Sequence, residues 1–314
     1  MNRYIRNGIL FAVLSATGYG FFPIFTKLIY RYSPDFTAVD IAGWRFLLTV
    51  PLVWLMLTVR NSLIHNPNAH EALPRWRLMG LGCILAIGAV AAFYGLDLID
   101  ASLYVMLFRM YPVLVVIFSL FLGERLSWNG WLALSVVMVG VALMVYDPNT
   151  TLDLSSKLIQ GTLVALVNAV VIALYTIGQG RLMQHHRAKA RAAAWTFTGT
   201  LFAVVPLVLW QGLHLPHLPT LAAILGLVIF STILPLFCIY QALERIGASR
   251  FVIVGSLEPF FTLIWAYLLL GERFHSHWQI WGGVCIVGSV LLLEMPNLLF
   301  RTPKPVRAVS AAGD

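Results

Sequence analysis

The chain has 314 residues, 60% of them hydrophobic and 11% charged, with a mean hydropathy of +0.84. This composition excludes an ordinary soluble domain and points to an integral membrane protein. The net charge of +8 sits on short connections between apolar stretches, where the positive-inside rule accounts for it without nucleic acid as a partner.

A bilayer core about 30 Å thick needs roughly 20 apolar residues per helix. By that ruler the chain predicts an all-α integral membrane fold with ten transmembrane helices, near 8–30, 39–59, 77–97, 102–122, 128–146, 158–178, 192–211, 219–240, 251–270 and 278–296. The first apolar stretch is too long for a signal-peptide core and reads as a span, carrying Tyr19, Phe22, Pro23 and Lys27. The second carries Arg45 and the third Tyr94, and only Asp97-Leu98-Ile99-Asp100 separates the third from the fourth, which holds Arg109, Tyr111 and Pro112. The polar stretch 147–157 divides a first five-helix repeat (1–146) from a second (158–300). In the second repeat the sixth span carries Asn168 and Tyr175, and Tyr240 and Gln241 close the eighth. The ninth carries Glu258, Pro259 and Trp265, and the tenth Gly282, Gly283 and Gly288, small residues suited to close helix packing or a homodimer face. Residues 301–314 read as a disordered cytoplasmic tail.

With the N-terminus inside, 15 of the 21 basic residues fall on cytoplasmic connections, so both termini are expected in the cytoplasm. The halves also align. At an offset of 147 residues Leu96-Asp97 meets Leu243-Glu244, Ala101-Ser102 meets Ala248-Ser249 and Pro112 meets Pro259. After one residue of slip, Gly123-Glu124-Arg125 meets Gly271-Glu272-Arg273. Five spans per half is an odd number, so the repeats are inverted, a recurring basis of alternating access.

The chain resembles a drug/metabolite transporter of the EamA type. The likeness rests on Gly20 with Lys27 seven residues on, on Trp44-Arg45-Phe46-Leu47, and on the two proline to Gly-Glu-Arg blocks, LEPFFTLIWAYLLLGER above all. It covers nearly the whole chain, with Tyr19 where the family often has tryptophan and with one residue fewer between Pro112 and Gly123. It implies ten spans in two five-helix halves and export of amino acids or related compounds from a bacterial cytoplasm, hence a multi-pass protein of the inner membrane.

Charges within spans are costly, about 2.5 to 3.5 kcal/mol each on insertion scales, and mark candidate binding residues. Arg45 and Arg109 either snorkel or form a fork for a substrate carboxylate or phosphate. Straight-helix counting puts both roughly 10 Å below the outer surface, with Glu258 roughly 10 Å above the inner one. Glu258 reads as an interhelical ion pair, an amine partner or a proton-coupling site, and on the last reading Glu258→Gln would stop proton-linked flux without harming the fold. The repeat sets Arg109 opposite Ser256 and Glu258 opposite Tyr111, so the two charges are not expected to face one cavity by symmetry. Pro112 and Pro259 are expected to kink their spans and free the carbonyls of Phe108 and Gly255, with Pro23 a third hinge. Tyr19, Tyr94, Tyr111, Asn168, Tyr175, Tyr240, Gln241 and Trp265 complete the candidate substrate-binding set, while the Gly-Glu-Arg turns read as architecture.

No cofactor and no metal are expected. A nucleotide-binding loop is absent, Cys83, Cys238 and Cys285 lack metal-ligand spacing, and the histidines lie on loops. The partners expected are a small-molecule substrate, membrane lipid and protons. The reading is a secondary transporter rather than an enzyme, and the alternatives are an antiporter of phosphorylated or nucleotide-linked sugars and a membrane-embedded lipid-modifying enzyme.

Overall fold

The computed structural model describes residues 3–63, 71–121, 131–132, 135–136, 138–140, 143, 156–183, 186, 188–255, 257–272 and 277–299. Among these residues the ordered elements are all helical, with no strand. The protein is an integral membrane bundle, as its composition demands. Six helices are long and apolar enough to cross a membrane, Tyr4–Tyr32, Ala38–Asn61, Arg75–Leu98, Lys157–Leu182, Lys189–Gln211 and Leu218–Leu243, and shorter apolar helices accompany them. The expected fifth span, the 147–157 divider, Gly123-Glu124-Arg125, Arg273 and the tail lie wholly or largely outside the described residues.

The first span is α1 (Arg3–Gly20) and α2 (Phe22–Tyr32), followed by α3 (Ala38–Leu63) and α4 (Arg75–Leu98). The Asp97–Asp100 stretch does end the third span, and α5 (Ala101–Phe108) and α6 (Tyr111–Phe121) follow. In the second half come α7 (Ser156–Leu182), α8 (Lys189–Gln211), α9 (Leu218–Val228), a wider π turn at Ile229–Ile233, and α10 (Leu234–Gly255). Then α11 (Glu258–Trp265) runs into a second π turn at Ala266–Leu270, and α12 (His277–Leu299) closes the order.

The helix boundaries differ from the apolar ruler in two ways. The ruler treats the first and fourth spans as single helices, and the structure breaks them at Phe21 and at Arg109-Met110. It also leaves Gln241–Arg250 as a connection, whereas the backbone there stays helical, since Ala, Leu, Glu and Arg are good helix formers. The chain nonetheless reverses along α1. Pro235 lies against Gly18, Arg245 and Ile246 lie against Gly8, and Phe261 and Thr262 return to Gly20.

Association of helices in lipid depends on close backbone approach. Gly82 of α4 faces the backbone of Thr196, Gly199 and Thr200 on α8, and Gly199 faces that of Met79, so a Cβ at either glycine has no room. Thr200 Oγ1 donates to the Gly82 carbonyl at 3.0 Å across this contact. On the tenth span Gly283 packs on Met106 of α5, so this glycine serves the bundle itself.

The second Gly-Glu-Arg block holds the halves together. Gly271 has φ +71, a left-handed conformation that favours glycine, and ends the second π turn. The turn aims Glu272 at the start of α5, where its carboxylate accepts from Ala101 N–H at 3.0 Å, Ser102 N–H at 3.2 Å and the Ser102 hydroxyl at 2.8 Å. The ordinary capping position of that helix, Asp100, makes no side-chain cap bond. Glu272 therefore caps a helix of the first repeat from the second, so its role goes beyond a turn in the headgroup region. Loss of a cap costs about 1 to 2 kcal/mol, and Glu272→Ala is expected to lower the melting temperature of the detergent-solubilised protein by several degrees, read by scanning fluorimetry.

Candidate functional site

The site forms where three spans break. Pro23, Pro112 and Pro259 each fall in the first turn of the helix after a break, starting α2, α6 and α11. Sequence reasoning expected kinks within continuous helices. In the structure each helix ends and restarts, because proline has no N–H to donate and is well placed where that donor is unused. Pro259 is buried there, as is Pro23.

Arg109 lies in the break between α5 and α6, and Glu258 opens α11 after a turn at Leu257. Their side chains form an ion pair through Arg109 Nη2 and Glu258 Oε2. The same Nη2 donates to the Gly255 carbonyl at 3.4 Å, one of the two carbonyls that proline geometry was expected to free. Arg109 is 9% exposed, which removes snorkelling as its role. The depths counted along straight helices are also corrected. Two groups in contact share one depth, and breaks in both spans invalidate counting at 1.5 Å per residue. The pair links the two breaks rather than two symmetry-equivalent residues, and Arg109 Nε is buried with no hydrogen-bond partner among the described residues.

Arg45 on α3 is held differently. Its guanidinium lies over the rings of Phe22, Phe46 and Phe93, at 4.9, 5.3 and 5.8 Å from their centroids, and the aromatic faces attract a cation. Nε donates to Thr232 Oγ1 at 3.2 Å. Thr232 belongs to the first π turn and itself donates to the Leu227 carbonyl at 3.2 Å, five residues back. Pro235 is four residues after Ser231, and the carbonyl it displaces is relieved by that wider turn. Among the described residues the two Nη nitrogens of Arg45 make no hydrogen bond. They form an unused planar fork, the geometry that matches a carboxylate.

Tyr19 joins these two arrangements. It ends α1 just before the first break and lies within electrostatic range of Glu258, Arg45, Tyr175 and Tyr111. Tyr240 is in range of Tyr19 and Tyr175, and its hydroxyl donates to the Lys189 carbonyl at 3.2 Å. Gly20 lets this end of α1 meet α11, since a Cβ there would press on Phe261 and the Thr262 backbone, and Thr262 Oγ1 donates to the Gly20 carbonyl at 3.4 Å. Trp265 stacks on Phe21 at 4.5 Å, with its indole N–H buried and without a partner among the described residues.

Other expected residues lie elsewhere. Tyr94 is 46% exposed and makes no contact with the central charges among the described residues. Asn168 donates to the Tyr104 hydroxyl at 2.6 Å in a buried contact between α7 and α5. Gln241 receives Arg245 on both its carbonyls, so its amide is engaged within its own turn. Tyr111, by contrast, stays in range of Tyr19 and packs on Phe108 at 5.3 Å, and the side chain of Pro112 lies outside the described residues. Thr232 and Phe93 were missed. The only sequence signal for Thr232 is Pro235 just downstream, and nothing local marks Phe93 as an arginine's neighbour. At one end of the bundle Lys27 lies within range of Glu272, Asp100 and Asp97, apart from the central charges.

The model of the family described as EamA-like transporter matches residues 6–146 and 159–295. An uncharacterized transporter of Synechocystis is 24% identical, covering 95% of this chain and 96% of its own length. An uncharacterized transporter of Bacillus subtilis is likewise 24% identical over 85% and 86%. The pseudopaline exporter of Pseudomonas aeruginosa is 25% identical over 96% and 98%. A solved crystal structure shares the fold with a TM-score of 0.61 at 16% identity, covering 94% of this chain and 99% of that one. Paired breaks, charges within the bundle and a family match across both halves converge, and the chain belongs to the EamA-like transporter family of the drug/metabolite transporter superfamily.

Proposed function

We propose that this transporter moves a small carboxylate-bearing metabolite, an amino acid or related compound, by alternating access of its two inverted repeats. The observation that carries the reading is Arg45, whose open fork lies inside the bundle on three aromatic rings and within electrostatic range of Tyr19. A guanidinium fixed at Nε and unused at both Nη nitrogens is set to receive two carboxylate oxygens at once. Tyr19, itself in range of Tyr111, Tyr175 and Tyr240, adds a phenol close to this fork. Glu258 already has a partner, so a proton or a substrate amine acting there competes with Arg109. A phosphorylated or nucleotide-linked sugar fits less well, because its multiple charges call for both arginines and Arg109 is engaged.

Export from a bacterial cytoplasm across the inner membrane, with both termini inside, is the direction we assign. It rests on the bias of basic residues and on the relative named as an exporter. The test is counterflow in vesicles of purified protein, screened across amino acids, amines and organic anions. The reading expects saturable exchange of at least one carboxylate, and exchange of amines alone would refute it.

A further inference from the structure

Resting on the transport reading above, we infer that the cargo carries one net negative charge and that the membrane potential, rather than a proton gradient, drives its exit. The argument is one of charge balance in a medium where an uncompensated charge is expensive. Among the described residues the central charged groups are Arg45, Arg109 and Glu258. Arg109 and Glu258 neutralise one another in their ion pair. The guanidinium of Arg45 is left with a hydroxyl and three ring faces, none of which carries a negative charge. The other charged groups in range do not cancel it. Lys27 is surrounded by Glu272, Asp100 and Asp97 at one end of the bundle, and Arg60, in range of Tyr240, is exposed on the last turn of α3.

A monoanion on Arg45 makes the occupied centre neutral. A zwitterion leaves the excess positive charge in place, and a cation doubles it. Chemically, the class comprises small monocarboxylates and amino dicarboxylates. Arg45 stays with the protein, so each cycle carries one negative charge across the membrane. An interior-negative potential drives such a cargo outward, and 100 mV sets an equilibrium ratio of about 50-fold for one charge.

The experiment uses the full chain in vesicles of phosphatidylethanolamine and phosphatidylglycerol, with protein-free vesicles subtracted. Vesicles are loaded in turn with radiolabelled pyruvate, L-glutamate, L-alanine or choline, and a potassium gradient with valinomycin sets 100 mV of either sign. Faster efflux of pyruvate or L-glutamate than of alanine and choline is expected, with the final distribution shifting toward the ~50-fold limit when the interior is negative and reversing with the opposite sign. Arg45→Gln should move the preference from the anions to alanine, whereas Arg45→Lys should keep it. Preference for alanine or choline over both anions, or anion efflux indifferent to the potential, overturns the inference while transport itself stands. If no probe of any charge moves, the transport reading falls and takes this inference with it.

Discussion

Glu258→Gln alone is expected to destabilise the protein by about 3 kcal/mol, while the double change Arg109→Met with Glu258→Leu should recover most of that loss. The single substitution leaves the Arg109 guanidinium without its carboxylate in a position only 9% exposed, and an unpaired buried charge costs more than the pair contributes. The double variant removes both charges and fills similar volume with apolar atoms. Arg109→Met by itself should resemble Glu258→Gln, since it strands the carboxylate and also leaves the Gly255 carbonyl without its donor. Melting temperatures of the four proteins in one detergent form a double-mutant cycle, and additive losses would show that the two side chains are not energetically coupled. The result also bears on the proton hypothesis. From sequence, neutralising Glu258 was expected to leave folding intact. The ion pair makes a folding defect the first consequence, so loss of flux in Glu258→Gln counts as evidence on coupling only after stability has been matched.

Arg45→Ala should reduce carboxylate transport about 100-fold with little loss of folded protein. Among the described residues the fork has no acidic partner, so its removal strands no opposite charge, and Thr232 keeps its own bond to the Leu227 carbonyl. Arg45→Lys retains the charge but not the planar pair of donors, and should fall between, with weakened apparent affinity and a largely preserved maximal rate. Counterflow rates against substrate concentration separate these outcomes. Equal transport by Arg45→Ala and the parent chain would remove Arg45 from the binding site.

Much of the architecture was legible without coordinates. Hydrophobic length is a property of contiguous residues, so the apolar segments and the reversal at Asp97–Asp100 could be read directly. The three prolines marked the three breaks, but residue counting could not distinguish a kinked helix from one that ends and restarts. The structure distributes the candidate set for the same reason. Tyr19 lies within electrostatic range of Arg45, Tyr111, Tyr175, Tyr240 and Glu258, and Glu258 pairs with Arg109, because charged and phenolic side chains inside spans must find company. Tyr94 and Tyr104 are equally apolar in their neighbourhoods, yet one is exposed and the other is buried against Asn168. Which face of a helix meets its neighbours is set by packing, and these helices are hydrophobic nearly all round, which leaves no polar stripe to read.

By itself the sequence determined that this is a helical membrane protein of duplicated design, and it named the charged residues within the spans. Those conclusions follow from local composition, spacing and internal similarity. Only the tertiary structure decided that Arg109 belongs to Glu258 and Gly255, that Arg45 is left open beside Thr232, and that Glu272 caps a helix of the other repeat. Each of these pairings joins residues 146 to 187 positions apart, and their partnership depends on how broken helices are rotated against one another.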